Sequence, residues 1–223
     1  MGGGGAARRR WDEQRRLAPF SDLEAQLRGS AVDGPVLDLG CGPGLWLARI
    51  EAAGHVAVGV EPDRSRAAAA YRSAPVAVAD AAAIPFGDAT VGLVWCLHVL
   101  HHVVNPSTVL AEVFRVLRPG GRLLLAESVE DSPLIRLARN RWPQWEGVPV
   151  RSRFRAAELT RLVAGTGLDV VSYRQHGPVS PAALVVRRGG QPLWTALRWL
   201  EGRVPDRSAR LGAYVDVVAR RPG

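Results

Sequence analysis

The chain has 223 residues and a mass of 24.0 kDa, with 47% hydrophobic and 22% charged residues. That is the composition of an ordinary globular domain, and it excludes collagen-like, disordered and disulfide-built chains. The formal charge of +8 is carried by arginine alone, since all 29 basic residues are Arg and none is Lys. With abundant Ala, Gly and Pro this bias reads as the product of a GC-rich genome, so the charge alone does not argue for a nucleic-acid partner.

Residues 1–10 read as a Gly/Ala/Arg tail. Arg8, Arg9 and Arg10 lead into Trp11-Asp12-Glu13 rather than an apolar segment, so no secretory leader is expected. No apolar run reaches the roughly 18–20 residues of a membrane span. Two cysteines, Cys41 and Cys96, fit a reducing compartment. The expected location is cytoplasmic.

Leu17, Phe20, Leu23 and Leu27 recur at helical spacing over residues 11–29. From Val36 onward, short apolar runs alternate with helical stretches. Strands are expected at 36–39, 55–60, 76–79, 91–96, 122–126, 168–173 and 214–219. Helices are expected at 45–53, 64–72, 106–117 and 156–164, with Pro119-Gly120-Gly121 turning the chain after the third of these. This alternation predicts an α/β fold built on a mostly parallel sheet.

The strongest signal is Asp38-Leu39-Gly40-Cys41-Gly42-Pro43-Gly44, between the first strand and a helix. Glycines there let the backbone turn and approach a ligand. Glu61, 21 residues after Gly40 at the end of the second strand, can accept hydrogen bonds from both hydroxyls of a ribose. A dinucleotide fingerprint requires Gly or Ala at the position of Leu45, so that match fails. Asp38 would also sit poorly beside a pyrophosphate.

Taken together, the ordered motifs resemble the class I S-adenosylmethionine-dependent methyltransferases, within the broad type 11-like group acting on small molecules. The motifs are the Asp38–Gly44 loop, Glu61-Pro62-Asp63, Asp80-Ala81 with Ile84-Pro85-Phe86, His98-Val99-Leu100-His101-His102, and Arg115-Val116-Leu117-Arg118-Pro119-Gly120-Gly121. The resemblance spans roughly residues 30–175. It implies a doubly wound, Rossmann-like sheet of seven strands, mostly parallel with an antiparallel last strand. The division it suggests is an N-terminal tail and helix, 1–29, followed by a methyltransferase domain, 30–223.

The resemblance also implies S-adenosylmethionine as cofactor. Asp38, Gly40, Cys41, Gly42 and Gly44 would hold its methionine end, Glu61 the ribose, Asp80 and Ala81 the adenine, and Cys96 would line the pocket near the sulfonium. Gly92 departs from the family, which usually carries an acidic residue there, and a local effect is expected. In this fold Cys41 and Cys96 would be neighbours, close enough for a regulatory disulfide.

His98 and His101 are the candidate catalytic bases; pocket lining or core packing is the plainer reading of each. His55 and His176 read as surface or loop residues. No metal ligands are expected, because the cysteines lack zinc-site spacing and no carboxylates follow the fourth strand closely. The Asn/Asp-Pro-Pro-aromatic signature of adenine methylation is absent from Trp95-Cys96-Leu97-His98.

Segments 131–155 and 180–211 are the expected substrate covers. The first carries Arg136, Arg139, Arg141, Trp142, Trp145, Arg151, Arg153, Phe154 and Arg155, and the second Trp194 and Trp199. An aromatic, basic cover suits a quinone precursor, phenolic, polyketide or lipid-like acceptor. Nucleic acid is disfavoured as a partner. RNA methylation and a non-catalytic cofactor-binding module are the alternative readings, and the oligomeric state is not indicated.

Overall fold

The computed structural model describes residues 21–141, 150–177 and 211–223, with positions 196, 199, 200 and 203. Its strands are β1 (Val36–Leu39), β2 (Ala57–Val60), β3 (Val76–Ala77), β4 (Val91–Leu97), β5 (Leu117–Ser128), β6 (Asp169–His176) and β7 (Tyr214–Arg220). Its helices are α1 (Ser21–Arg28), α2 (Leu45–Ala52), α3 (Arg64–Ala70), α4 (Pro106–Val116), α5 (Pro133–Arg141) and α6 (Ala156–Ala164), with a 3-10 turn at Leu100–His102.

The seven strands form one sheet in the order β3-β2-β1-β4-β5-β7-β6. Pairings from β3 through β5 are parallel, and β7 lies antiparallel between β5 and β6. The strand order reverses between β1 and β4, and at such a switch point an open α/β sheet leaves a crevice beyond its carboxyl ends.

Alternation along the strands builds two cores. On one face Leu37, Leu39, Val94, Cys96, Leu123 and Leu125 pack under Val109, Leu110 and Val113 of α4 and Leu159 and Val163 of α6. On the other face Val36, Leu93, Trp95, Leu124 and Ala126 meet Leu23 and Leu27 of α1 and Trp46, Leu47 and Ile50 of α2. Each fully buried large apolar side chain contributes about 1.5–3 kcal/mol. Trp46 and Trp95 stack at 4.9 Å between centroids, and His55 Nε2 lies 2.9 Å from the Leu27 carbonyl, tying α1 to the sheet.

Several boundaries differ from the expected ones. The third helix of the alternating pattern stops at Val116, and the chain already runs as strand from Leu117, because Leu117 pairs with Val91. The register shift between Val91 and Leu93 sets residues 118–121 of β5 opposite the single Gly92 of β4, so the extra residues bulge from β5. A Cβ there would lie 2.2 Å from the Asp33 carbonyl oxygen, so the departure at Gly92 is enforced by the loop that enters β1. β3 spans only two residues. His176 sits on β6, with Nε2 3.0 Å from Asp216 Oδ1 on β7, and is not a free surface residue. Residues 11–20 of the expected first helix lie outside the described residues.

Candidate functional site

Four loops leave the carboxyl ends of β1 to β4 on one edge of the sheet, and together they wall a cavity of about 600 Å3. Gly40 follows β1, Glu61 and Arg66 follow β2, Asp80 and Ala81 follow β3, and His98, Val99 and His102 to Asn105 follow β4, with Thr108 and Arg151 closing the side. The volume falls within the range of small-molecule and cofactor sites.

Gly40 has φ +70, and a Cβ on it would come within 2.6 Å of Val99 Cγ2. Gly44 has φ +89 and rests against the backbone of Ala70, so α2 begins in close contact with α3. Gly40 N–H and Cys41 N–H both donate to the Val60 carbonyl, at 2.8 and 3.1 Å. The Gly42 N–H donates to Glu61 Oε2 at 2.8 Å, and the Asp63 N–H to Glu61 Oε1 at 3.1 Å. Arg66 stands 3.7 Å from that same Oε1.

Glu61 therefore holds the glycine loop from the neighbouring strand. A carboxylate has about four acceptor positions, so each oxygen keeps capacity for a ligand hydroxyl. Asp80 accepts the Ala82 N–H at 2.8 Å and is exposed at the cavity wall. The following turn is pinned by Arg115, which donates to the Ile84 and Phe86 carbonyls at 2.9 and 2.8 Å and pairs with Glu112 and Asp88. The Glu112 carboxylate, bound to Arg115, is held below its ordinary range despite partial burial.

His98 lines the cavity in the left-handed region, φ 56, while its N–H still donates to the Ala126 carbonyl as the last rung of the β4–β5 ladder. Such a backbone is uncommon for a residue with a side chain and gathers at functional sites. His101 is fully buried behind His98, with ring centroids 5.9 Å apart and edge-on, and it lies 3.9 Å from the His102 ring. Glu127, fully buried at the end of β5, accepts the Leu100 N–H at 2.6 Å, and its Oε2 lies 2.5 Å from His101 Nδ1. Burial would raise the Glu127 carboxyl, but His101, His98 and the Leu100 N–H outweigh it and hold it below its ordinary range.

His98, His101 and Glu127 place one donor atom each within 4.8 Å of one another. The contact between His101 Nδ1 and Glu127 Oε2 is a direct hydrogen bond. We read the cluster as a hydrogen-bonded one.

Of the expected site residues, Gly40, Glu61, Asp80, Ala81 and His98 are brought together on the cavity wall. Asp38, Cys41, Gly42 and Gly44 lie within or beneath the loop, off that wall. Cys96 is 1% exposed in one core and Cys41 5% exposed in the other, on opposite faces of the sheet, and they are not joined by a disulfide. The proximity that a regulatory disulfide between them would need is therefore not found. Burial, with the Asp38 and Glu61 carboxylates, pushes the Cys41 thiol far up, which makes it a poor nucleophile.

Sequence reasoning missed His102, Arg66 and Glu127. His102 left a signal in the His101-His102 pair, and Glu127 one as a carboxylate ending the apolar run Leu123–Ala126. In the expected covers, Ile135 packs on Ala213 and Tyr214, and Arg203 lies 3.6 Å over the Trp199 ring. Trp142, Trp145 and Trp194 lie outside the described residues.

A doubly wound sheet with a glycine loop after β1 and a loop-holding acid after β2 defines the class I methyltransferase architecture. Residues 11–173 match the model of the methyltransferase domain family, and the chain belongs to that family. An uncharacterized methyltransferase of Mycobacterium marinum is 31% identical over 183 residues, covering 71% of this chain and 72% of that protein. Methyltransferase GfsG of Streptomyces halstedii is 32% identical over 167 residues, 67% of this chain and 59% of that one. A solved Thermotoga maritima structure, described as an S-adenosylmethionine-dependent methyltransferase and possible histamine N-methyltransferase, shares the fold. Its TM-score is 0.67 at 21% identity, over 96% of this chain and 93% of that one. No described helix is long and apolar enough to cross a membrane.

Proposed function

We propose that the protein transfers a methyl group from S-adenosylmethionine to an O, N or C atom of a small-molecule acceptor. The observation that carries this reading is one continuous cavity wall running from Gly40, Glu61 and Asp80 to His98 and Arg151. A cofactor end and an acceptor end share one space.

The residues fit the cofactor. A Cβ at Gly40 would close the approach to the loop, and Glu61 faces the cavity with oxygens still able to accept hydroxyls. Asp80 and Ala81 line the neighbouring stretch, where the adenine would lie. Gly42 and Gly44 shape the loop at the methionine end, with Asp38 beneath it and Cys96 at the tip of β4. When bound, the cofactor supplies a methyl carbon on a sulfonium, already activated for attack.

The protein's share of the work is then orientation, which supplies up to about 7–11 kcal/mol, and removal of the acceptor's proton. His98 is the group placed for that proton, with His101 behind it. Arg151 adds a cation to the acceptor end, which suits a phenolate, carboxylate or similar anion. Of segment 131–155, Arg151 lines this end, and the assignment of the rest of that segment and of 180–211 as covers rests on sequence.

The test is transfer of radiolabelled methyl to panels of phenolic, quinone-precursor and polyketide acceptors, run beside total RNA. Labelling of a small molecule and not of RNA is expected. Labelling of RNA alone would overturn the acceptor class.

A further inference from the structure

Glu127 lies one residue beyond the expected fifth strand and forms no part of the cavity wall. It is nonetheless a fully buried carboxylate with both oxygens engaged: Oε1 accepts the Leu100 N–H, and Oε2 meets His101 Nδ1. A buried carboxylate is costly unless its charge is answered, so its place here calls for an account.

We infer that Glu127 is a positioning residue for methyl transfer, fixing the tautomer and angle of His101 so that His101 holds the pocket-facing His98 ring for proton removal from the acceptor.

Hydrogen-bond logic carries the argument. An ionised carboxylate only accepts, so His101 Nδ1 must carry the proton of that contact. The Leu100 N–H on the other oxygen fixes the carboxylate plane. Neutral His101 is thereby the Nδ1–H tautomer. The ring stands edge-on to His98 at 5.9 Å, and His98 meets Tyr214 of β7 edge-on at 5.7 Å.

His98 is thus gripped from two sides while its backbone takes the left-handed turn that points it to the cavity. The Arg151 and Ser152 N–H groups donate to the His101 carbonyl at 2.8 and 3.1 Å, which ties the acceptor-side segment to the same residue. In the reaction the acceptor atom gains the methyl, the cofactor's carbon–sulfur bond breaks to leave the thioether, and the acceptor's proton passes to the neutral His98 ring. Among the described residues, the titratable groups facing His101 include Glu127 from β5, His102 from its own turn and His98 just before that turn; Tyr214 from β7 reaches it through His98.

This inference rests on the proposed methyl transfer, but its test needs no acceptor. The full chain, labelled with 15N-histidine and saturated with S-adenosylhomocysteine, is studied by imidazole NMR, with assignments from single-histidine variants. The expected result at pH 8 is His101 in the Nδ1–H tautomer. In Glu127→Gln the new amide cannot accept from both Leu100 N–H and His101 Nδ1–H. His101 is then expected to shift toward Nε2–H, and the His98 ring signals to move with it, with S-adenosylhomocysteine affinity within about twofold.

An Nε2–H His101 in the unaltered protein would overturn the inference, and that result does not depend on the variant folding. His98 signals unchanged in a folded Glu127→Gln would overturn it as well. Loss of S-adenosylhomocysteine binding by the unaltered protein would strike the cofactor assignment instead, so the two failures are distinguishable.

Discussion

Glu61 Oε2 accepts the backbone N–H of Gly42 at 2.8 Å, so the acid that ends β2 holds the loop that ends β1. The residue expected to grip the ribose is also the residue that shapes the glycine loop. Both roles fail together in Glu61→Ala. Hydrogen bonds to charged groups contribute about 1.5–3 kcal/mol each, so S-adenosylhomocysteine affinity should fall at least about tenfold. Calorimetric titration checks this, and unchanged affinity would remove Glu61 from the cofactor site.

Gly40→Ala should lower both stability and cofactor affinity. The added Cβ meets Val99 Cγ2 at 2.6 Å, and φ +70 is strained for any residue with a side chain. A loss of about 1–3 kcal/mol in unfolding free energy is expected. Val99→Ala in the same chain should recover the steric part and leave the backbone part. Chemical denaturation of the single and double variants separates the two.

Gly92→Asp restores the acidic residue common in the family, yet it should not be tolerated here. Its Cβ would fall on the Asp33 carbonyl oxygen at 2.2 Å and near Val32 Cγ1 at 2.7 Å. Backbone must move, at a cost on the order of 3 kcal/mol or more. A variant within about 0.5 kcal/mol of the parent in a denaturation curve would refute the packing described at the bulge.

The Arg115 clamp carries a pH signature. The Glu112 carboxyl is held low chiefly by its Arg115 hydrogen bond, against a smaller opposing effect of burial, so its folded value lies below the ordinary 4.5. A depressed carboxylate stabilises the folded state fully above its unfolded value, and that stability is lost as pH falls through the folded value. Unfolding free energy should therefore drop on acidification below about pH 4.5, and Glu112→Gln should lessen that drop. Equal acid sensitivity in parent and variant would show that the clamp is not linked to folding.

Much of this architecture is legible in the sequence because the short continuous apolar runs are strong: Val36–Leu39 and Val91–Leu97 bury nearly every residue. The antiparallel last strand and the nearness of Gly40, Glu61, Asp80 and His98 are legible only through what the family resemblance implies. Long-range contacts were not legible. Glu127 and His101 are 26 residues apart and meet only because β4 and β5 end side by side. Cys41 follows β1 and Cys96 lies on the adjacent β4, but strand alternation sends Cys96 to one face while the loop carries Cys41 to the other, which no spacing rule reveals. His176 took a loop reading because strand β6 runs on past Tyr173, and only its pairing with Tyr214 places it opposite β7.

His98→Ala should leave S-adenosylhomocysteine affinity within about twofold while lowering turnover of any acceptor about 10²–10⁴-fold, the usual worth of a positioned base. Full turnover in that variant would reduce His98 to pocket lining.

The most direct test of the central claim is calorimetric titration of the purified protein with S-adenosylhomocysteine, with NAD as the comparison ligand. The account predicts micromolar binding of S-adenosylhomocysteine, its weakening in Glu61→Ala, and no heat from NAD. Binding of NAD without S-adenosylhomocysteine, or of neither, would contradict it.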